Sequence, residues 1–118
     1  MLFDTTQVAL ERAIAGAAQR QQALASNLAN ANTPGYQRVD VDFHGTLAAA
    51  LGRGTEAVEH ATFATRTDAA GATRADGSTV DVDAESAKLA ANALEHQAAV
   101  QVAAARVNIM KAAIGTGV

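Results

Sequence analysis

A chain of 118 residues that is 49% hydrophobic but only 3% aromatic makes at most one small domain, with much of its apolar content alanine. A net charge of -3 and a pI near 5.5 leave no basic footprint for duplex nucleic acid, and the lack of cysteine leaves no disulfide framework or thiolate metal site. No apolar run approaches the roughly 20 residues that span a bilayer. Met1-Leu2-Phe3-Asp4-Thr5-Thr6-Gln7 also lacks the basic and apolar regions of a cleavable secretory signal.

The first element is a long helix from about Asp4 to Asn30, capped by Asp4, Thr5 or Thr6. Phe3, Gln7, Leu10, Ile14, Ala17, Gln21, Leu24, Leu28 and Ala31 recur at alternating spacings of four and three, the seam of a helix that lies along other helices. Its end is marked by Asn27-Leu28-Ala29-Asn30-Ala31-Asn32-Thr33-Pro34-Gly35-Tyr36. Asn32 is suited to the left-handed residue of a helix end, Pro34 cannot continue a helix, and Gly35 permits the turn. Asn27 and Asn30, one turn apart, have two readings. They are helix-end residues, or they hydrogen-bond across helices and fix axial register as a polar seam residue does.

Beyond the stop, Val39-Asp40-Val41-Asp42-Phe43 and Val80-Asp81-Val82-Asp83 alternate apolar and acidic residues, which predicts short strands or extended chain. Thr62-Phe63-Ala64-Thr65-Arg66 is a further candidate strand, and Asp76-Gly77 a tight turn. Gly45, Gly52, Gly54, Gly71 and Gly77 make the stretch 44–79 a loop or small β excursion. A second long helix is expected after Asp83, with Asp83 as N-cap and Glu85 facing the dipole in the first turn. Its seam is Leu89, Ala93, His96, Val100, Ala103, Val107, Met110 and Ile114, and Gly115 and Gly117 end it. The expected fold is therefore mainly α. Two long terminal helices form an antiparallel coiled-coil-like pair, with a short irregular or β region between them at one end. The parts are an N-terminal assembly helix with its Asn-rich stop (1–35), an extended region (36–83) and a C-terminal assembly helix (84–118). The alanine-rich seams bury little, so neighbouring chains are expected to complete the helix packing.

Catalytic and metal patterns are lacking. His44, His60 and His96 have no ligand spacing, and Asp76, Asp81, Asp83 and Glu85 lack the order of a calcium loop. Gly52-Arg53-Gly54 lacks the third glycine and the preceding strand of a nucleotide fingerprint, and Ser26, Ser78 and Ser86 sit in no nucleophile elbow. No enzyme and no cofactor are expected. A wall hydrolase would need a carboxylate in a pocket, which so small a core does not build.

The stretch Ala23-Leu24-Ala25-Ser26-Asn27-Leu28-Ala29-Asn30-Ala31-Asn32-Thr33-Pro34-Gly35-Tyr36 resembles the N-terminal signature of bacterial flagellar axial proteins, the rod and hook family. Tyr36-Gln37-Arg38-Val39-Asp40-Val41-Asp42-Phe43, Asp76-Gly77-Ser78-Thr79-Val80-Asp81-Val82-Asp83-Ala84-Glu85 and Leu89-Ala90-Ala91-Asn92-Ala93-Leu94 are similar to its proximal-rod branch. The family often has Tyr-Gln where this chain has His96-Gln97, and Met where it has Ser86. The resemblance implies a structural subunit that leaves the cytoplasm through the flagellar type III export gate and polymerises into the periplasmic rod of the basal body. Implied partners are copies of itself, other rod proteins, a FliE-type adaptor with the membrane ring, and the rod cap FlgJ. The implied assembly interface is Leu10, Ile14, Leu24, Asn27, Leu28, Asn30, Leu89, Ala93, Val100, Val107, Met110 and Ile114. Phe43-His44-Gly45-Thr46-Leu47 fits the Phe-x-x-x-apolar pattern that such substrates present to the gate, through Phe43 and Leu47; the plain alternative is that Phe43 packs on the helices. A cytosolic coiled-coil adaptor is the competing reading of the whole chain.

Overall fold

The computed structural model describes residues 4–68 and 73–115. Phe3, Gly71 and Gly117, named above, lie outside the described residues. The elements run α1 (Thr5–Ala29), β1 (Val39–Val41), α2 (Phe43–Leu51), α3 (Thr55–Glu59), β2 (Thr65–Thr67) and α4 (Val82–Gly115). The long helices α1 and α4 pack antiparallel. Arg106 reaches Asp4 and Gln7, Asn92 reaches Gln21, and Glu85 meets Asn27. The fold is mainly α and elongated, with principal extents of 66 × 27 × 14 Å.

The ends of α1 follow from its capping side chains. Asp4 accepts a hydrogen bond from the Gln7 N–H at 2.9 Å, which satisfies one of the free donors of the first turn. At the other end the Asn30 side chain donates to the Ser26 carbonyl at 2.9 Å, and Thr33 donates to Asn30. Asn32 does not take the left-handed conformation, since no described residue other than glycine has positive φ. Gly35 does, at φ 74°, and its N–H bonds the Asp76 carbonyl at 2.8 Å. The reversal therefore sits three residues later than the Asn reading places it, where a glycine costs nothing. Helix α4 starts earlier than expected. Asp81, not Asp83, is the cap, accepting from the Asp83 and Ala84 N–H groups, so Val82 is helical rather than extended.

The middle segment is not a loop at one end. It lies along the length of α1: Thr55 meets Thr5, the Ala61 carbonyl accepts from Arg12, the Phe63 carbonyl from Gln19 at 2.6 Å, and Asp40 from Arg20 at 2.8 Å. The physical reason is a second apolar stripe on α1, with Val8, Ala17 and Ala23 buried in one cluster with Val41, Phe43, Leu47, Ala50, Val58 and Phe63. The acidic–apolar alternation gives a strand only as far as Val41, which pairs antiparallel with Thr65. Asp42 then accepts from the Gly45 N–H at 3.0 Å and caps α2, whose alanines and leucines favour helix. Part of the surface expected from other chains is thus supplied by the chain's own middle.

Gly16 of α1 lies directly against Phe43, the first residue of α2. A Cβ built there would stand 2.6 Å from the Phe43 Cβ. Alanine is favoured over glycine in a helix by about 1 kcal/mol. Gly16→Ala is nevertheless expected to lower the urea midpoint of the isolated chain, because overpacking costs about 1–3 kcal/mol. A raised midpoint would mean that the α1–α2 contact is looser than described.

Candidate functional site

The two segments that carry the resemblance meet at one end of the molecule. Gly77 has φ 83°, and a Cβ there would stand 3.3 Å from the Gly35 Cα, so two glycines let the Asn-rich stop and the Asp-Gly turn press backbone to backbone. Arg74 donates to the Ala31 carbonyl at 2.7 Å, the Thr79 N–H to the Tyr36 carbonyl at 3.0 Å, and the Arg38 N–H to the Thr79 hydroxyl at 2.9 Å. Beneath this contact lies a buried polar junction. Asn27, in the last turn of α1, treats β1 as a neighbouring strand. Its amide donates to the Val39 carbonyl at 2.7 Å and accepts from the Val39 N–H at 2.8 Å. The same amide donates to Glu85 of α4 at 3.2 Å and accepts from the Tyr36 hydroxyl at 3.2 Å. Asn27 therefore joins α1, β1 and α4, whereas the Asn30 side chain, among the described residues, bonds Ser26 and Thr33 at its own helix end.

Arg38 is the centre of charge. It is 4% exposed, and its guanidinium faces Glu85, 1% exposed, together with Asp40 at 3.2 Å and Asp68. Burial disfavours the Arg38 cation, but the hydrogen bond and charge of Glu85, then of Asp40, outweigh it and raise its pKa above the ordinary arginine value. Burial likewise pushes the Asp40 carboxyl up, and Arg20, the Val41 N–H and Arg38 overcome this and hold it below the ordinary value. The sequence reading missed Arg38 and gave Glu85 only a dipole role. Period-2 geometry could have shown it, since a strand through Val39 puts Arg38 and Asp40 on one face.

Of the expected interface residues, Leu24 and Asn27 are buried, and Leu10, Ile14, Leu28, Asn30, Leu89, Val107 and Met110 are half-buried. Ala93, Val100 and Ile114 are exposed, which corrects the α4 seam. The face turned to α1 runs through Glu85, Leu89, Asn92, His96, Ala99, Ala103 and Arg106. Asn92 is inward because it donates to the Ala17 carbonyl and to Gln21, both at 2.8 Å, and Arg106 because it holds Gln7 and Asp4, each at 3.0 Å. Choosing the most apolar heptad rotates the helix by one position at every second step. The larger apolar groups point away: Leu94 is 68% exposed, Val102 49% and Ile109 68%. Phe43 and Leu47 lie in the core. Among the described residues no group of His, Cys, Asp and Glu is arranged to hold a metal ion, and no helix is long and apolar enough to cross a membrane.

The lowered pKa of Asp40 has a definite sign. A carboxyl whose folded pKa lies below its unfolded value of about 3.9 adds stability above that value and loses it as pH falls through the folded pKa. Asp40→Asn is therefore expected to lower the urea midpoint at neutral pH, with the gap to the parent narrowing at a second, acid pH below the unfolded value of about 3.9. A gap that stays constant between the two pH values would remove Asp40 from the charged cluster.

A family model described as flagella basal body rod protein matches residues 7–37, which covers all but the first two residues of α1 and the Asn-rich stop. The flagellar basal body rod protein FlgB of Escherichia coli K12 is 31% identical across 85% of this chain and 86% of its own length. FlgB of Aeromonas hydrophila is 35% identical over 70% of this chain and 72% of its own, and FlgB of Cereibacter sphaeroides 34% over 80% and 82%. Those relatives are structural proteins rather than enzymes. With this identity over most of both lengths, the chain belongs to the FlgB family of flagellar basal body rod proteins.

Proposed function

We propose that this structural subunit of the basal body rod passes the flagellar type III export apparatus and polymerises by helix packing into the proximal rod, in the periplasm. The observation that carries the assembly reading is the inverted polarity of α4. Its buried residues are Glu85, Asn92 and Ala103, while Leu94, Val102 and Ile109 stand in solvent. An isolated helical hairpin gains nothing from that arrangement; a subunit surrounded by others does. The far end of α4 supports the same reading. Arg106 pairs with Asp4, so residues 107–115 run on past Thr5, the first residue of α1, by roughly 13 Å at 1.5 Å per residue.

The division of labour follows from this. Residues 1–35 and 84–118 act as the assembly helices, and 36–83 braces the first of them. Leu10, Ile14, Leu28, Leu89, Val107 and Met110, half-buried within the chain, complete their burial against neighbours, as do exposed Ala93, Val100 and Ile114. Recognition of Phe43 and Leu47 by the export gate belongs to the unfolded chain, because both side chains are in the core once it folds. The implied neighbours are copies of the chain, other rod proteins, a FliE-type adaptor at the membrane ring and the rod cap FlgJ.

Deleting the gene is expected to abolish filaments and swimming, and the uncleaved chain should be present in purified basal bodies. A motile deletion strain with complete basal bodies would rule the assignment out. Amide exchange tests the assembly step separately. Residues 107–115 should exchange fast in the isolated chain and be protected in basal bodies, with 5–29 protected in both. Equal protection of 107–115 in both states would leave helix packing without a role for that end.

A further inference from the structure

An aspartate followed by glycine is the pair in which backbone isomerisation is least hindered, because glycine has no side chain to shield its nitrogen. Asp76 and Gly77 make such a pair, and Asp76 is exposed. In the reaction the Gly77 nitrogen attacks the carbon of the protonated Asp76 side-chain carboxyl. A C–N bond forms, a C–O bond breaks, and water leaves, made of the carboxyl OH and the Gly77 amide proton. The product is a five-membered imide, and water then adds to either of its carbonyls. Attack at the side-chain carbon restores aspartate. Attack at the backbone carbon breaks the original peptide bond and leaves the chain running through the Asp76 Cβ, with the former backbone carbonyl now a free carboxylate. Nothing is oxidised or reduced, and this isoaspartate is an isomer of the parent with an extra carbon in its backbone.

The folded chain holds this bond away from the reactive geometry. The Gly77 N–H donates to the Arg74 carbonyl at 2.9 Å and the Arg74 N–H to the Ser78 carbonyl at 2.7 Å, so 74–77 is a hydrogen-bonded turn. No described residue other than glycine has positive φ, so Asp76 makes this a type I turn, with its own ψ at roughly 0°. There the Gly77 nitrogen eclipses the Asp76 nitrogen, and carrying it over to the Asp76 Cβ takes a rotation of about 120°. The carboxylate is engaged as well, since its Oδ1 accepts from the Ser78 N–H at 3.0 Å. Rotation would break the Gly77 bond to Arg74 and swing the Asp76 carbonyl off the Gly35 N–H, which it holds at 2.8 Å. It would also pull Gly77 from its close approach to Gly35. We propose that Asp76–Gly77 is a site of isoaspartate formation that is open in the unfolded chain and closed when the Asn-rich stop docks on the turn. The block also runs the other way. Even a Cβ on Gly77 would stand 3.3 Å from the Gly35 Cα, so a backbone lengthened at this point cannot restore the contact. Only the setting rests on the export reading above: the interval before export is when the bond lies open.

The purified full chain, held at neutral pH either folded or in urea, tests this directly. Isoaspartate at position 76 is counted in the tryptic peptide 75–88, which lies between Arg74 and the cut after Lys88, by its separate elution at unchanged mass. The unfolded chain should accumulate it about tenfold faster than the folded chain, or more, because the folded chain reacts only when the junction opens. Gly35→Ala should raise the folded rate toward the unfolded one, since its Cβ meets nothing but its φ of 74° strains an alanine. Asp76→Glu, which would need a larger ring, should remove the signal in both states. The isolated isoaspartyl chain should lose amide protection at Thr79, whose N–H bonds the Tyr36 carbonyl in the parent. Equal rates in the folded and unfolded chain would overturn the inference. So would an isoaspartyl chain in which Thr79 stays as protected as in the parent. Both measurements are made on the isolated chain, so their failure leaves the rod reading standing, and loss of the rod reading leaves them unchanged.

Discussion

The contact between Arg38 and Glu85 decides where the ends of this molecule lie. Each residue comes from a segment with little apolar content of its own, one just after the Asn-rich stop and the other in the first turn of α4. Taking both charges out of water is expensive, and the attraction between them offsets that cost only when the remaining donors and acceptors are filled. Here they are filled. Asp40 and Asp68 take the other guanidinium nitrogens, Asn27 donates to the second Glu85 oxygen, and Thr79 accepts from the Arg38 backbone. Removing one partner would leave a buried charge, with a cost of about 3–5 kcal/mol for such a break. The pair is better understood as a device for placement than as a source of stability. It brings the start of α4 to the end of α1, and the antiparallel register follows at Asn92 and Arg106.

Placement by polar groups has a consequence for the rest of α4. A helix held by Glu85, Asn92 and Arg106 does not need large apolar residues on that face, and alanine at Ala99 and Ala103 allows close approach to α1. The large side chains are released to the outside. In a monomeric enzyme such a distribution would be an aggregation hazard. On the assembly reading proposed above, it would separate two tasks along one helix: polar contacts specify the intramolecular pairing, and apolar contacts are left for association.

Legibility from the residues divides along the same line. The two long helices, the Asp4 cap, β1 and the Asn-Pro-Gly reversal follow from local patterns of the kind that sequence reports well, since each depends on neighbours within a turn or two. The family was legible for a related reason: its signature segments are those that meet at the Gly35–Gly77 contact, where close packing restricts residue choice. The face of α4 was not legible. A periodicity argument ranks Val100 above Ala99 and Val107 above Arg106, and is blind to the hydrogen bonds that turn Asn92 and Arg106 inward. Helices α2 and α3 were also missed, because Gly45, Gly52 and Gly54 read as loop. Gly52 and Gly54 bound two short helices, and Gly45 sits in the first turn under the Asp42 cap. What brings that segment onto α1 is a tertiary fit at Gly16 that no local pattern encodes.

The bracing of α1 by the middle segment also separates the fates of the two long helices. One flank of α1 is covered by Phe43, Leu47, Val58 and Phe63 and another by α4, so its order is set within the chain. Helix α4 touches the rest of the chain along one face, and its last turns run past Thr5. Intrinsic propensity keeps an alanine-rich helix available there, but propensity alone is marginal for a free helix end. Within the chain α4 is held on α1 from Glu85 through Asn92 to Arg106, so the order of α1, its brace and α4 as far as Arg106 is set by the chain's own contacts. On the assembly reading proposed above, it is residues 107–115 that would order at incorporation, where burial of Ile109 against a neighbour can offset the ordering cost.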